Sequence, residues 1–170
     1  MMLGSRSIGR LAAIFVTVLL IQITVVPHFR LNGYVIDLPL VVTLLICLYL
    51  SPANAAVMGF VCGLIFDLVL HTPFGMTAMT FSIGGYIAAG VSQQIATKSA
   101  ATRAIAVAVL AATATSLFAC TGALIGLEYV TRRELGAIAI VTAGAGMPAA
   151  MALQPLVRWA FPHEVVNFSE

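Results

Sequence analysis

Asp67 closes a run in which Gly59, Gly63 and Asp67 recur at every fourth position, and its carboxylate is the group in this sequence with the most chemistry to offer. Residues four apart stack on one face of a helix. The two glycines would let a neighbouring backbone approach closely, and the carboxylate would share that face. The apolar run around it covers residues 54–71 and ends at Thr72-Pro73-Phe74-Gly75. At ~1.5 Å per residue Asp67 lies roughly 20 Å beyond Asn54, inside a hydrocarbon layer about 30 Å thick. A carboxylate at that depth must be paired, protonated or in a polar pocket. Two roles are open to it: a structural one, capping the turn at Thr72, or a functional one.

Other polar groups reach a similar depth. Gln22 follows Arg10 by twelve residues, roughly 18 Å along a helix. Asp37 enters from the opposite side, shortly after Tyr34, and Ser82 and Tyr86 lie four apart further on. Each would be costly against lipid, so Gln22, Asp37, Asp67, Ser82 and Tyr86 are expected to converge on the interior as a polar intramembrane cluster.

Catalytic constellations do not assemble from these residues. His28, His71 and His163 are scattered and lack a two-histidine metal spacing. Neither a Gly-x-Ser-x-Gly elbow nor a phosphate-binding glycine loop with lysine occurs, so no cofactor or metal is expected. Cys47, Cys62 and Cys120 are far apart within apolar runs, which reads as small hydrophobes packed in the core. Eight Lys and Arg in 170 residues are too few and too dispersed to hold a nucleic acid.

Composition says where these groups must sit. The chain is 61% hydrophobic and 8% charged, with a mean hydropathy of +1.08, far from the roughly 25% charge of soluble domains. This is an all-α, polytopic membrane protein in a single domain, with room for six helical spans at about 11–27, 34–50, 54–71, 74–91, 104–128 and 135–159. The third span, with its glycines and acid, is expected to organise the others. Gly144, Gly146, Pro148 and Pro155 predict a kink in the sixth. No small-x-small cleavage site follows the first span at Thr24-Val25-Val26-Pro27, so it should remain as an anchor.

With six spans, Arg6, Arg10, Lys98, Arg103 and Arg158 fall on one side, and Arg30, Arg132 and Arg133 on the other. That asymmetry predicts both termini in the cytoplasm. On the fifth span Ala104, Ala108, Ala112, Ser116 and Cys120 repeat at four, a stripe suited to close helix packing. Its partner is either another helix of this chain or a helix of a second protein.

Several of these residues together resemble one family. Gly59-Phe60-x-x-Gly63-Leu64-x-x-Asp67-Leu68, then Gly75, Ser82 and Tyr86, with Gly9-Arg10 and Leu20-Ile21-Gln22 in the first span, are similar to the bacterial rod shape-determining MreD proteins. The family commonly opens its second span with Pro followed by Asp or Asn, whereas this chain reads Asp37-Leu38-Pro39. The resemblance implies a non-enzymatic inner-membrane scaffold of the cell-elongation and peptidoglycan-synthesis machinery. It implies association with the bitopic protein MreC, with MreB filaments, and with RodA and its transpeptidase, all among membrane lipid. It also implies a fold like the substrate-binding subunit of energy-coupling-factor transporters. That likeness supplies an alternative function, a small-ligand (vitamin-type) binding subunit of a membrane transporter. The Ala-x-x-x-Ala by which many such subunits dock their coupling partner is missing from Leu11-Ala12-Ala13-Ile14-Phe15.

Overall fold

The computed structural model describes residues 5–28, 37–69, 73–94, 99–124 and 132–161. Six helices occupy them: α1 (Ser5–Thr24), α2 (Leu38–Cys47), α3 (Pro52–Asp67), α4 (Met76–Gln94), α5 (Ala100–Leu124) and α6 (Arg132–Ala160), with a 3-10 turn at Val26–His28 after α1. Expected and observed elements agree in number and order, though not in length.

Helix α2 is the axis. Its sequence is apolar all round, and a helix without a polar face must be covered on every side. Pro39 through Cys47 are all buried, and α2 touches each of the other five helices. Those five form an arc around it, α1 against α6, α6 against α5, α5 against α4, and α4 against α3. The organising element is therefore α2 and not, as the glycine pattern suggested, α3. Helix α3 lies at one end of the arc and packs chiefly on α4 and α2. Ten residues give α2 a rise of only about 15 Å, half a hydrocarbon core, where a span over 34–50 was expected; residues 29–36 lie outside the described set.

Helices α1 and α5 are long and apolar enough to cross a bilayer. The 25 residues of α5 rise about 37 Å, which exceeds the hydrocarbon thickness and calls for tilt. Helix α6 carries Pro148 and Pro155 inside one unbroken helical segment of 29 residues.

The largest helix–helix interface joins α3 to α4 as an antiparallel hairpin, and its cause is the absence of side chains along the seam. A Cβ on Gly63 would lie 2.6 Å from the Cα of Ala78, and one on Gly85 would lie 2.8 Å from the carbonyl oxygen of Ala55. A Cβ on Gly59 would collide with the carbonyl oxygen of Phe81. Only glycine admits backbones this close. Among lipid tails, where apolar burial gives little drive, such contact is what holds helices together.

The stripe on α5 divides. Ala104 and Ala108 are buried, and a Cβ on Gly146 of α6 would reach the Cα of Ala108 at 3.9 Å, so this part packs within the chain. Ala112 and Ser116 are half-buried. Cys120, expected in the core, is exposed because the row has turned outward two turns beyond Ala112; Cys47 and Cys62 are buried as expected.

Candidate functional site: a polar capping layer

A helix leaves its first four N–H groups without partners inside the helix, and in hydrocarbon no water is present to take them. Two such ends lie at the same end of the bundle, those of α2 and α4. Polar side chains are what satisfy them.

At α2, Asp37 is the N-cap residue. Its Oδ1 accepts from the Leu40 amide at 3.0 Å, and its carbonyl accepts from the Val41 amide at 3.2 Å. Pro39 has no amide hydrogen to place, which is why proline is tolerated in a first turn. The remaining donor, the Leu38 amide, is taken by Gln22 Oε1 at 3.0 Å, reaching across from α1. Every amide in the first turn of α2 thus has an acceptor.

At α4 the acceptor comes from the preceding helix. Asp67 is buried, with 3% of its surface exposed. Its Oδ2 accepts from the amides of Gly75 at 2.9 Å and Ala78 at 3.2 Å, and its Oδ1 accepts from the Thr77 amide at 3.3 Å. The Met76 amide donates to the Pro73 carbonyl at 3.2 Å. Gly75 holds a φ of +95°, a left-handed backbone that glycine adopts without strain and that turns its amide toward Asp67. The carboxylate therefore completes the first turn of α4, and the positive end of that helix dipole faces its charge. Of the two roles the sequence left open, a structural carboxylate is the one this geometry describes, although the groups it caps are those of Gly75, Thr77 and Ala78.

The five polar residues do not form one cluster. Gln22 and Asp37 come together at α2, and Asp67 serves α4. Ser82 is half-buried against α3, its Cα 3.1 Å from where a Cβ on Gly59 would be. Tyr86 does not point inward: it is 57% exposed, because Gly85 is the residue of that turn that meets α3. A groove of about 310 Å³ opens beside the start of α4, lined by Pro73, Phe74, Gly75, Met76, Met79, Thr121 and Leu124. Its lining is mostly apolar and includes none of the five. Among the described residues no three His, Cys, Asp or Glu side chains are grouped so as to hold a metal.

The opposite end of the bundle is basic and aromatic. Arg10 Nη1 donates to the Trp159 carbonyl at 3.4 Å, and its guanidinium lies 4.5 Å from the centre of the indole ring. Tyr49 stacks on Phe161 with ring centres 5.4 Å apart, and the Arg103 guanidinium lies 6.0 Å from the Tyr49 ring. Gln154 Nε2 donates to the Ala100 carbonyl at 2.9 Å, tying α6 to the start of α5. Of these groups, Tyr49 and Gln154 were not among the residues that the sequence singled out. An aromatic two residues before the Ser51-Pro52 break was the available signal for Tyr49.

The sequence model of the family described as rod shape-determining protein MreD matches residues 5–158, nearly the whole chain, and the chain belongs to that family. No curated protein and no solved structure matches it.

Proposed function

Taking membership of the MreD family as the premise, we propose that this chain is a scaffold without turnover of its own, a membrane component that holds partners of the cell-elongation machinery. Rod shape determination is the family's role. The finer reading is that the chain binds an MreC-like bitopic protein and, with it, links MreB filaments to RodA and its transpeptidase. It spans the inner membrane six times with both termini in the cytoplasm. The observation that carries the scaffold reading is the occupancy of the polar groups. Gln22, Asp37 and Asp67 are each bonded to backbone amides, which leaves these intramembrane groups engaged in structure.

Two further features support the topology. The six helices alternate in direction, so α1 begins where α6 ends, and the Arg10–Trp159 contact joins those two points. Arg10, Arg103 and Arg158 gather at that same end, as the preference for positive charge in the cytoplasm requires.

The test is depletion in a rod-shaped host combined with affinity recovery in mild detergent. Loss of rod shape and recovery of a bitopic coiled-coil protein are expected. Ala112→Leu, on the half-buried part of the α5 stripe, should lower that recovery while the protein remains in the membrane. A host that keeps its shape but loses uptake of a vitamin would replace the scaffold with the transporter subunit.

A further inference from the structure

At the basic end two polar atoms lie buried with no hydrogen-bond partner among the described residues, the Tyr49 hydroxyl and Arg103 Nε, and they belong to side chains already in contact. Three observations converge on this pair. First, a buried donor left unmade costs more than a typical hydrogen bond contributes, and more again when the group is charged. Second, Arg103 stands in the first turn of α5, where the helix dipole is positive and a cation is repelled. The first turn of α5 contains no acid to offset it, and Asp37 and Asp67 are at the other end of the bundle. Third, the surroundings are those of a membrane interface: Trp159 is exposed here, Phe161 and Leu50 are buried beneath, and Arg10 and Arg158 add to the positive field.

A guanidinium Nε and a phenol hydroxyl that both lack an acceptor, beside the start of a helix, call for one polyatomic anion. We propose that Arg103 and Tyr49 form a binding site for the phosphate of an anionic phospholipid at the basic end of the bundle. The guanidinium and the hydroxyl both donate to phosphate oxygens, and the α5 dipole adds to the attraction. Both residues are half-buried, with Nε and the hydroxyl themselves covered, so a phosphate is bound as the two side chains draw outward. The acyl chains then run along the flank of the bundle. Lipid is favoured over free phosphate because the pair stands between apolar Phe161 and Leu50 and the membrane interface, where the local concentration of headgroups is high. No covalent step is involved. The proposal rests on the membrane placement of this end and not on the identity of any protein partner.

The full-length chain in mild detergent is titrated with dioleoyl phosphatidylglycerol or with dioleoyl phosphatidylcholine, and bound lipid is counted by native mass spectrometry. Phosphatidylglycerol should bind at least about tenfold more tightly than phosphatidylcholine, whose phosphate accepts the same hydrogen bonds but whose choline cation is repelled by the Arg103, Arg10 and Arg158 charges. Arg103→Gln should abolish that preference. Tyr49→Phe keeps the stack on Phe161 and should weaken phosphatidylglycerol binding about tenfold, so the site can be tested even if Arg103→Gln fails to fold. Arg10→Gln, whose parent side chain is already bonded to Trp159, should retain the preference. Equal binding of the two lipids would overturn the proposal. So would an equal loss from Arg10→Gln and Arg103→Gln, which would mean diffuse attraction to positive charge. Inorganic phosphate that displaces phosphatidylglycerol at matching concentration would overturn the assignment to lipid. Loss of MreC-like partner recovery with lipid preference intact bears on the scaffold alone.

Discussion

Gly63→Ala adds one methyl group to the seam between α3 and α4, at a point where the structure leaves no room for it. The new Cβ would stand 2.6 Å from the Ala78 Cα, 2.8 Å from the Ala78 nitrogen and 2.8 Å from the Thr77 carbonyl oxygen. Ordinary contact begins at 3.4 Å, so the deficit is about 0.8 Å, and all three obstacles are backbone atoms that cannot swing aside. The helices must separate. Overpacking of this kind costs about 1–3 kcal/mol. Here it should fall at the upper end, because the displaced atoms belong to the turn whose amides Asp67 holds one helical turn away. A loss near 3 kcal/mol lowers the melting temperature of a chain this size by about 6 °C or more. Gly90→Ala on α4 is the control, since a Cβ there meets nothing within 4 Å. Thermal unfolding of the two variants in the same detergent, followed by the fraction remaining monodisperse, measures the difference. If Gly63→Ala melts with Gly90→Ala, the seam does not hold the hairpin and the argument fails.

Asp67→Ala would strand three amides at once, at about 1–3 kcal/mol each, which consumes most of an ordinary folding stability; membrane abundance should collapse. Asp67→Asn keeps one acceptor oxygen and should be visibly less severe by immunoblot of the membrane fraction, whereas equal abundance of the two variants would refute the capping role. Gln22→Leu frees the Leu38 amide alone and should cost about 1–3 kcal/mol, read as a lower melting temperature in detergent; an unchanged value would mean that another group takes that amide. An impermeant thiol reagent applied from outside should label Asn32→Cys and spare Ser99→Cys on a background lacking the native cysteines, and the reverse pattern would invert the orientation.

The hairpin seam was legible in the sequence because it is a local pattern. Glycines at 59 and 63 on a period of four announce close approach whatever lies opposite. The burial of Asp67 was legible too, from the cost of a carboxylate in an apolar run. What Asp67 binds was not, because its partners follow a turn whose backbone is set by the left-handed Gly75. Helix α2 was recognisable as apolar but not as the axis, since a helix of uniform hydrophobicity carries no directional signal. Ser82 and Tyr86 share a row at a spacing of four, yet they end half-buried and exposed respectively; one row can lie along the edge of a buried face, and only the rotation fixed by Gly85 against Ala55 decides which residue falls inside. Phe60 and Leu68 also belong to the residue set that resembles the family, and both are exposed. That set is therefore a mixture of seam and outer surface, and the sequence pattern alone does not separate the two.

Polar residues deep in a membrane are usually read as signs of transport or catalysis, because burying them is costly. In this bundle the cost has a different origin. Helix α2 is short and central, so its start lies among other helices. The hairpin brings the start of α4 to the same end of the bundle. Each start exposes amides that would cost several kcal/mol apiece in hydrocarbon. A carboxylate and an amide side chain from neighbouring helices remove that cost, and the charge of Asp67 is offset by the α4 dipole it faces. Asp67 also spans the junction between two helices, so the group that satisfies α4 fixes the angle at which α3 leaves the hairpin. Chemistry that elsewhere would move a proton here sets a shape, and a fixed shape is what the proposed scaffold role calls for.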